Sequence, residues 1–125
     1  MLSTIATVLA GLIGASVILM GARFFWAPQA AAGFGIPGTP TEDRTFQAWL
    51  SVKAVRDIGA GLLILVVLIG GTTHLLGWIM LAASFMPAGD AVIVLRSDGP
   101  KATAYGVHGA TAAVMLVIGA LLLIA

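Results

Sequence analysis

Long apolar runs separated by short polar interruptions define this chain: residues 1–22, 58–89 and 102–125 contain no Lys, Arg, Asp or Glu. Runs of this kind suit helices of about 20 residues that cross the hydrocarbon core of a bilayer. The pattern predicts an all-α integral membrane protein, an up-down four-helix bundle forming one four-span transmembrane domain over residues 1–125. Spans are expected at about 2–22, 46–69, 75–95 and 102–125, with a polar loop over 27–45.

The interruptions set the boundaries. The first run ends at Arg23, Phe24, Phe25 and Trp26, residue types that settle at a headgroup boundary, and Pro28 stops it. A cleaved signal peptide fits poorly, because no Lys or Arg precedes the run and the run exceeds the usual apolar length. The polar loop holds Gly33, Gly35, Pro37, Gly38 and Pro40, then Glu42, Asp43 and Arg44. Thr41 is expected to cap the second helix, with Glu42 and Asp43 in its first turn, where the helix dipole favours negative charge. Gly70 to Thr73 and Arg96 to Pro100 read as turns, and such short connections make neighbouring helices antiparallel. Gly59, Gly61, Gly89 and Gly109 are candidates for close helix contact.

Composition agrees. Hydrophobic residues make up 60% of the chain and charged residues 9%, far below the roughly 25% of a soluble domain. The absence of Cys excludes disulfides and thiolate chemistry, and a formal charge of +1 gives no nucleic-acid partner a basic surface to bind. All Lys and Arg fall on one side of the proposed topology. The positive-inside rule therefore predicts a multi-pass cell-membrane protein with the long loop cytoplasmic and both termini outside.

The candidate chemistry lies in the charges that interrupt the spans. Trp49, Lys53, Arg56, Asp57 and Ala60 recur at helical spacing, and Lys53 and Asp57 stand at i and i+4, where they can pair. Counted from Leu50, Arg56 and Asp57 lie about 10 Å deep at about 1.5 Å per residue. Asp90 lies a similar distance before Arg96, and His108 a similar distance after Lys101. An unpaired charge at the bilayer centre costs roughly 2.5–3.5 kcal/mol, so pairing of Arg56 with Asp90, and of Asp57 with Lys53 or His108, is expected. Pro87 cannot donate to the Ala83 carbonyl and so frees an acceptor near Asp90. The expected ligand-binding set is Lys53, Arg56, Asp57, Asp90, His108 and Trp49, with Asp57 and His108 the candidates for proton transfer. No metal is expected, because Arg56 and Lys53 would repel a cation from the carboxylates.

Gly21-Ala22-Arg23-Phe24 followed by Ala27-Pro28, Lys53-Ala54-Val55-Arg56-Asp57-Ile58 with Gly61, Pro87-Ala88-Gly89-Asp90-Ala91, and His108-Gly109-Ala110 together resemble the DUF4267 family of small integral membrane proteins, related to the DoxX-like group. The resemblance covers nearly the whole chain and implies a four-helix membrane architecture; it implies no activity or cofactor.

Three functional readings follow. The leading one is an intramembrane polar pocket that binds a lipophilic small molecule, such as a quinone, isoprenoid or lipid, from the cytoplasmic half of the bilayer, with Arg56 holding a polar or anionic headgroup. The second is a non-enzymatic scaffold or subunit whose buried ion pairs specify assembly. The third is proton-coupled transport, for which the bundle has to form a homo-oligomer.

Overall fold

The computed structural model describes Met1–Ala125, and every regular element in it is a helix. Helix α1 spans Leu2–Arg23 and α2 spans Arg44–Gly70. α3 (Thr73–Ala83) continues into α4 (Phe85–Arg96), and α5 (Lys101–Thr103) leads through a π-helical segment, Ala104–Gly109, into α6 (Ala110–Ile124). Three stretches, Leu2–Arg23, Thr73–Arg96 and Lys101–Ile124, are long and apolar enough to cross a membrane. α2 is longer than any of them, and Lys53, Arg56 and Asp57 interrupt its apolar run.

Local chemistry explains where this differs from four plain helices. The third predicted span divides at Ser84, whose hydroxyl donates to the Leu81 carbonyl at 2.6 Å, while Pro87 has no N–H to return to the Ala83 carbonyl. Ser84 stays in the right-handed helical region, and its backbone still bonds Met80 and Ala88, so α3 and α4 follow one another closely. The predicted loop over 27–45 contains a 3-10 helix, Pro28–Phe34, begun by proline and ended by Gly35 at φ 109°. The cap of α2 is Asp43 rather than Thr41: the Asp43 carboxylate accepts from the Phe46 N–H at 2.8 Å. Thr72 caps α3 in the same way through the Leu75 N–H.

Glycines set the packing. A Cβ on Gly61 would stand 2.5 Å from the Gly14 carbonyl oxygen, and one on Gly21 would stand 2.9 Å from the Asp57 Cβ. These contacts, with Gly11 against Leu68, run in opposite directions along the two helices, so α1 and α2 are antiparallel and nearly touch backbone to backbone. Gly77 and Gly119 make the equivalent crossing of α3 with α6. Of the four glycines expected at helix contacts, only Gly61 has that role. Gly59 and Gly89 have open space where a Cβ would be, and Gly109 meets only the Ala104 carbonyl of its own helix.

The dry core joins Ala6, Ala10, Ile64, Leu76, Met80, Met115, Ile118 and Leu122. It lies toward the termini and the Gly70 turn. At the opposite end, Gly35 packs on Val94 and Thr103 and so holds the 3-10 segment over the ends of α4 and α5. Many large side chains, among them Leu12, Leu19, Leu63, Val66 and Phe85, are exposed on the outside, while small residues fill much of the interior.

Candidate functional site

A cleft of about 560 Å³ opens at the end of the molecule opposite the dry core. Four segments wall it: Phe24 at the end of α1, Ala31 and Phe34 of the 3-10 helix with Ile36 to Pro40 beyond it, Phe46, Trp49, Leu50 and Lys53 of α2, and Asp90 and Ile93 of α4. Lys53, Trp49 and Phe46 share a helical face because they are separated by three, four or seven residues. The Gly21 contact brings α1 against Ala54 and Asp57, which carries Phe24 over Lys53.

Lys53 is the centre of the cleft. Its ammonium donates to Asp57 Oδ2 at 2.7 Å, the one ion pair in the protein, and lies 5.4 Å from the ring centroids of both Phe24 and Phe34. Both side chains are partly solvent-accessible, at 39% for Lys53 and 26% for Asp57. An ammonium carries three donors. Only one is used within the chain. Asp90 faces the same space with neither a hydrogen bond nor an ion pair, within electrostatic reach of Lys53, His108 and Asp57.

His108 acts one layer behind. Its Nε2 lies 2.7 Å from the Phe34 carbonyl oxygen. A carbonyl only accepts, so Nε2 carries the proton and donates it. The imidazole also lies against the Phe34 ring, centroids 4.4 Å apart. The π-helical segment makes this possible: the Ala110 N–H reaches back to Tyr105, five residues, and the wider turn changes the direction in which His108 projects. No helical periodicity in the sequence announces that extra residue.

The geometry brings Lys53, Asp57, Asp90, Trp49 and His108 around one region and leaves Arg56 outside it. The pairing of Arg56 with Asp90 expected from equal depth does not form; Arg56 is exposed on α2 with no ion pair. Equal depth places residues at one level but leaves their direction around the helix axis open, and one step from Asp57 to Arg56 turns about 100° away. Asp57 and His108 are both engaged, with Lys53 and with Phe34, and neither lines the cavity. Sequence reading passed over Phe34, Phe46 and Ile36 to Pro40 as site residues. The only signal for Phe34 and Ile36 to Pro40 was the apolar content of a loop otherwise rich in Gly and Pro, and for Phe46 its spacing of three from Trp49 and seven from Lys53 on one helical face. No group of three or more His, Cys, Asp or Glu side chains is placed to hold a metal ion.

Comparison with curated proteins and with solved structures gives no match. A family model described as Domain of unknown function (DUF4267) matches residues 14–122, a span that includes every wall of the cleft from Phe24 to Ile93 as well as His108. The chain therefore belongs to the DUF4267 family.

Proposed function

We propose that this is a four-span protein of the cell membrane whose largely apolar cleft, carrying Lys53 and Asp90, binds a lipophilic small molecule. α2 serves as the fourth span. Its 27 residues reach about 40 Å at about 1.5 Å per residue, enough to cross a bilayer. Lys53 and Asp57 neutralise each other, and Arg56, exposed on α2 seven residues below Trp49, has a stem long enough to carry its guanidinium back toward the headgroups. The ring of exposed Leu, Val, Ile and Phe side chains around an interior of small residues supports a lipid surround, since helices in lipid associate by close packing rather than by burying large apolar groups from water. The up-down order of the segments supports kinship with the DoxX-like group. All Lys and Arg lie toward one end, which supports a cytoplasmic long loop with both termini outside.

One observation carries the ligand reading: a cavity walled by Phe24, Phe34, Phe46 and Trp49 contains an ammonium with unused donors and a carboxylate with no partner. An internal ion-pair lock would use these groups up. A binding site leaves them for a headgroup, with the aromatic walls taking the apolar body. The scaffold reading has its own support in His108, which is committed to fastening the 3-10 segment.

Native mass spectrometry of the purified protein separates the two. A bound hydrophobe, lost in a folded Asp90→Asn variant, is the expected result. No bound hydrophobe together with a marked loss of stability in Asp90→Asn would leave only the scaffold. Because Arg56 and Asp90 form no ion pair, the effects of Arg56→Leu and Asp90→Leu should add to within about 0.5 kcal/mol. Full mutual rescue would place the two charges in contact and refute the cleft as described.

A further inference from the structure

The charge balance of the cleft says what kind of headgroup it takes. Lys53 and Asp57 cancel as a 2.7 Å ion pair. His108 holds its Nε2 proton on the Phe34 carbonyl at 2.7 Å and does not line the cavity. Arg56, the residue that sequence reasoning assigned to an anionic headgroup, is exposed outside the cleft and offsets nothing within it. What remains facing the cavity is the carboxyl group of Asp90, which has neither a hydrogen bond nor an ion pair and which a cationic head would hold ionised.

The aromatic walls divide in the same sense. Phe24 and Phe34 each already have the Lys53 ammonium 5.4 Å from the ring centroid. Phe46 and Trp49 line the same cavity with no cation beside them. Aromatic faces attract cations, Trp most of all, and Trp49 presents 70% of its surface at the mouth of the cleft, where an incoming head can reach it. An anionic head would instead meet Asp90 at close range with no free cation to compensate.

Building on the proposed binding function, we infer that the cleft selects a lipophilic amine or quaternary ammonium, its cationic head seated between Asp90 and the pair Phe46 and Trp49. The unused donors of Lys53 are then available to an oxygen next to that head. The head lies at the open, polar end of the molecule, and the tail follows the apolar wall formed by Leu50 and Ile93.

Three probes with one ten-carbon chain and a bromine on the third carbon from the head, beside Trp49 in this pose, test this: an alkyltrimethylammonium, an alkyl sulfate and an alkanol. The full-length protein in non-ionic micelles carries Trp26→Phe and Trp78→Phe, so that Trp49 is the single tryptophan and bromine quenching reports the cleft. The expected result is saturable quenching by the ammonium about tenfold tighter than by the alkanol, a preference abolished in Asp90→Asn and kept in Asp90→Glu. Equal saturable quenching by all three probes, tighter binding of the sulfate, or a preference that survives Asp90→Asn overturns the charge assignment and leaves the cleft standing. Absence of saturable quenching by any probe, in protein whose helical circular dichroism is intact, overturns the binding function itself.

Discussion

Substituting glycines one at a time on α1 and α2 tests the α1–α2 crossing that positions the cleft. A Cβ on Gly61 would meet the Gly14 carbonyl oxygen at 2.5 Å and Ile18 Cγ1 at 2.6 Å, and the first of these is backbone that no rotamer change can move. A Cβ on Gly59, half a turn away, would meet nothing within 4 Å. Both substitutions to Ala gain the same intrinsic helix preference, about 1 kcal/mol, so the difference between them isolates the steric term. Forcing a methyl into a packed contact costs about 1–3 kcal/mol. Gly59→Ala should therefore stabilise the protein by up to about 1 kcal/mol, with Gly61→Ala falling about 1–3 kcal/mol below it. Gly14→Ala should lie between the two, because its Cβ contacts of 3.2 Å need shifts of only a few tenths of an ångström. Unfolding in mixed micelles of increasing dodecyl sulfate content, followed by far-ultraviolet circular dichroism, measures all three. If Gly61→Ala and Gly59→Ala agree within about 0.5 kcal/mol, the helices do not cross as closely as described. A separation forced at Gly61 would also carry Phe24 away from Lys53, so Gly61→Ala should weaken ligand binding as well.

Two other contacts make separate predictions. His108→Ala removes the donor that holds the Phe34 carbonyl, a loss of about 1 kcal/mol, and amide exchange should rise over Ala31 to Gly35 while α6 is unaffected; unchanged exchange there would mean that His108 does not fasten the segment. Asp43→Ala should cost about 1 kcal/mol in thermal or detergent unfolding by leaving the Phe46 N–H uncapped, whereas Thr41→Ala should cost little; the reverse order would restore Thr41 as the cap.

The residues of the cleft were only partly legible in the sequence. Lys53 and Asp57 could be paired from their spacing alone, because i and i+4 are neighbours on any α-helix. Asp90 and His108 could be placed at a common level from their distances to the nearest polar turn. Which way each one points depends on crossings made by Gly14, Gly21, Gly61, Gly77 and Gly119, and on a π-helical segment that turns the last helix after Ala104. That information resides in contacts between segments distant in the chain, so Arg56 was assigned to the site and Phe34 was not.

By itself the sequence determined the helical class, the approximate length of each apolar run and the set of ionisable groups those runs carry, because hydrophobic pattern and helix period are local properties. The DUF4267 motifs, spread from Gly21 to Ala110, belong to that same legible layer. Only the tertiary structure decided that the loop folds back as a wall, that Lys53 and not Arg56 faces the cavity, and that Asp90 lacks a partner. Those outcomes depend on the rotation of each helix about its own axis, which is set where glycines let backbones approach and cannot be read from any one segment alone.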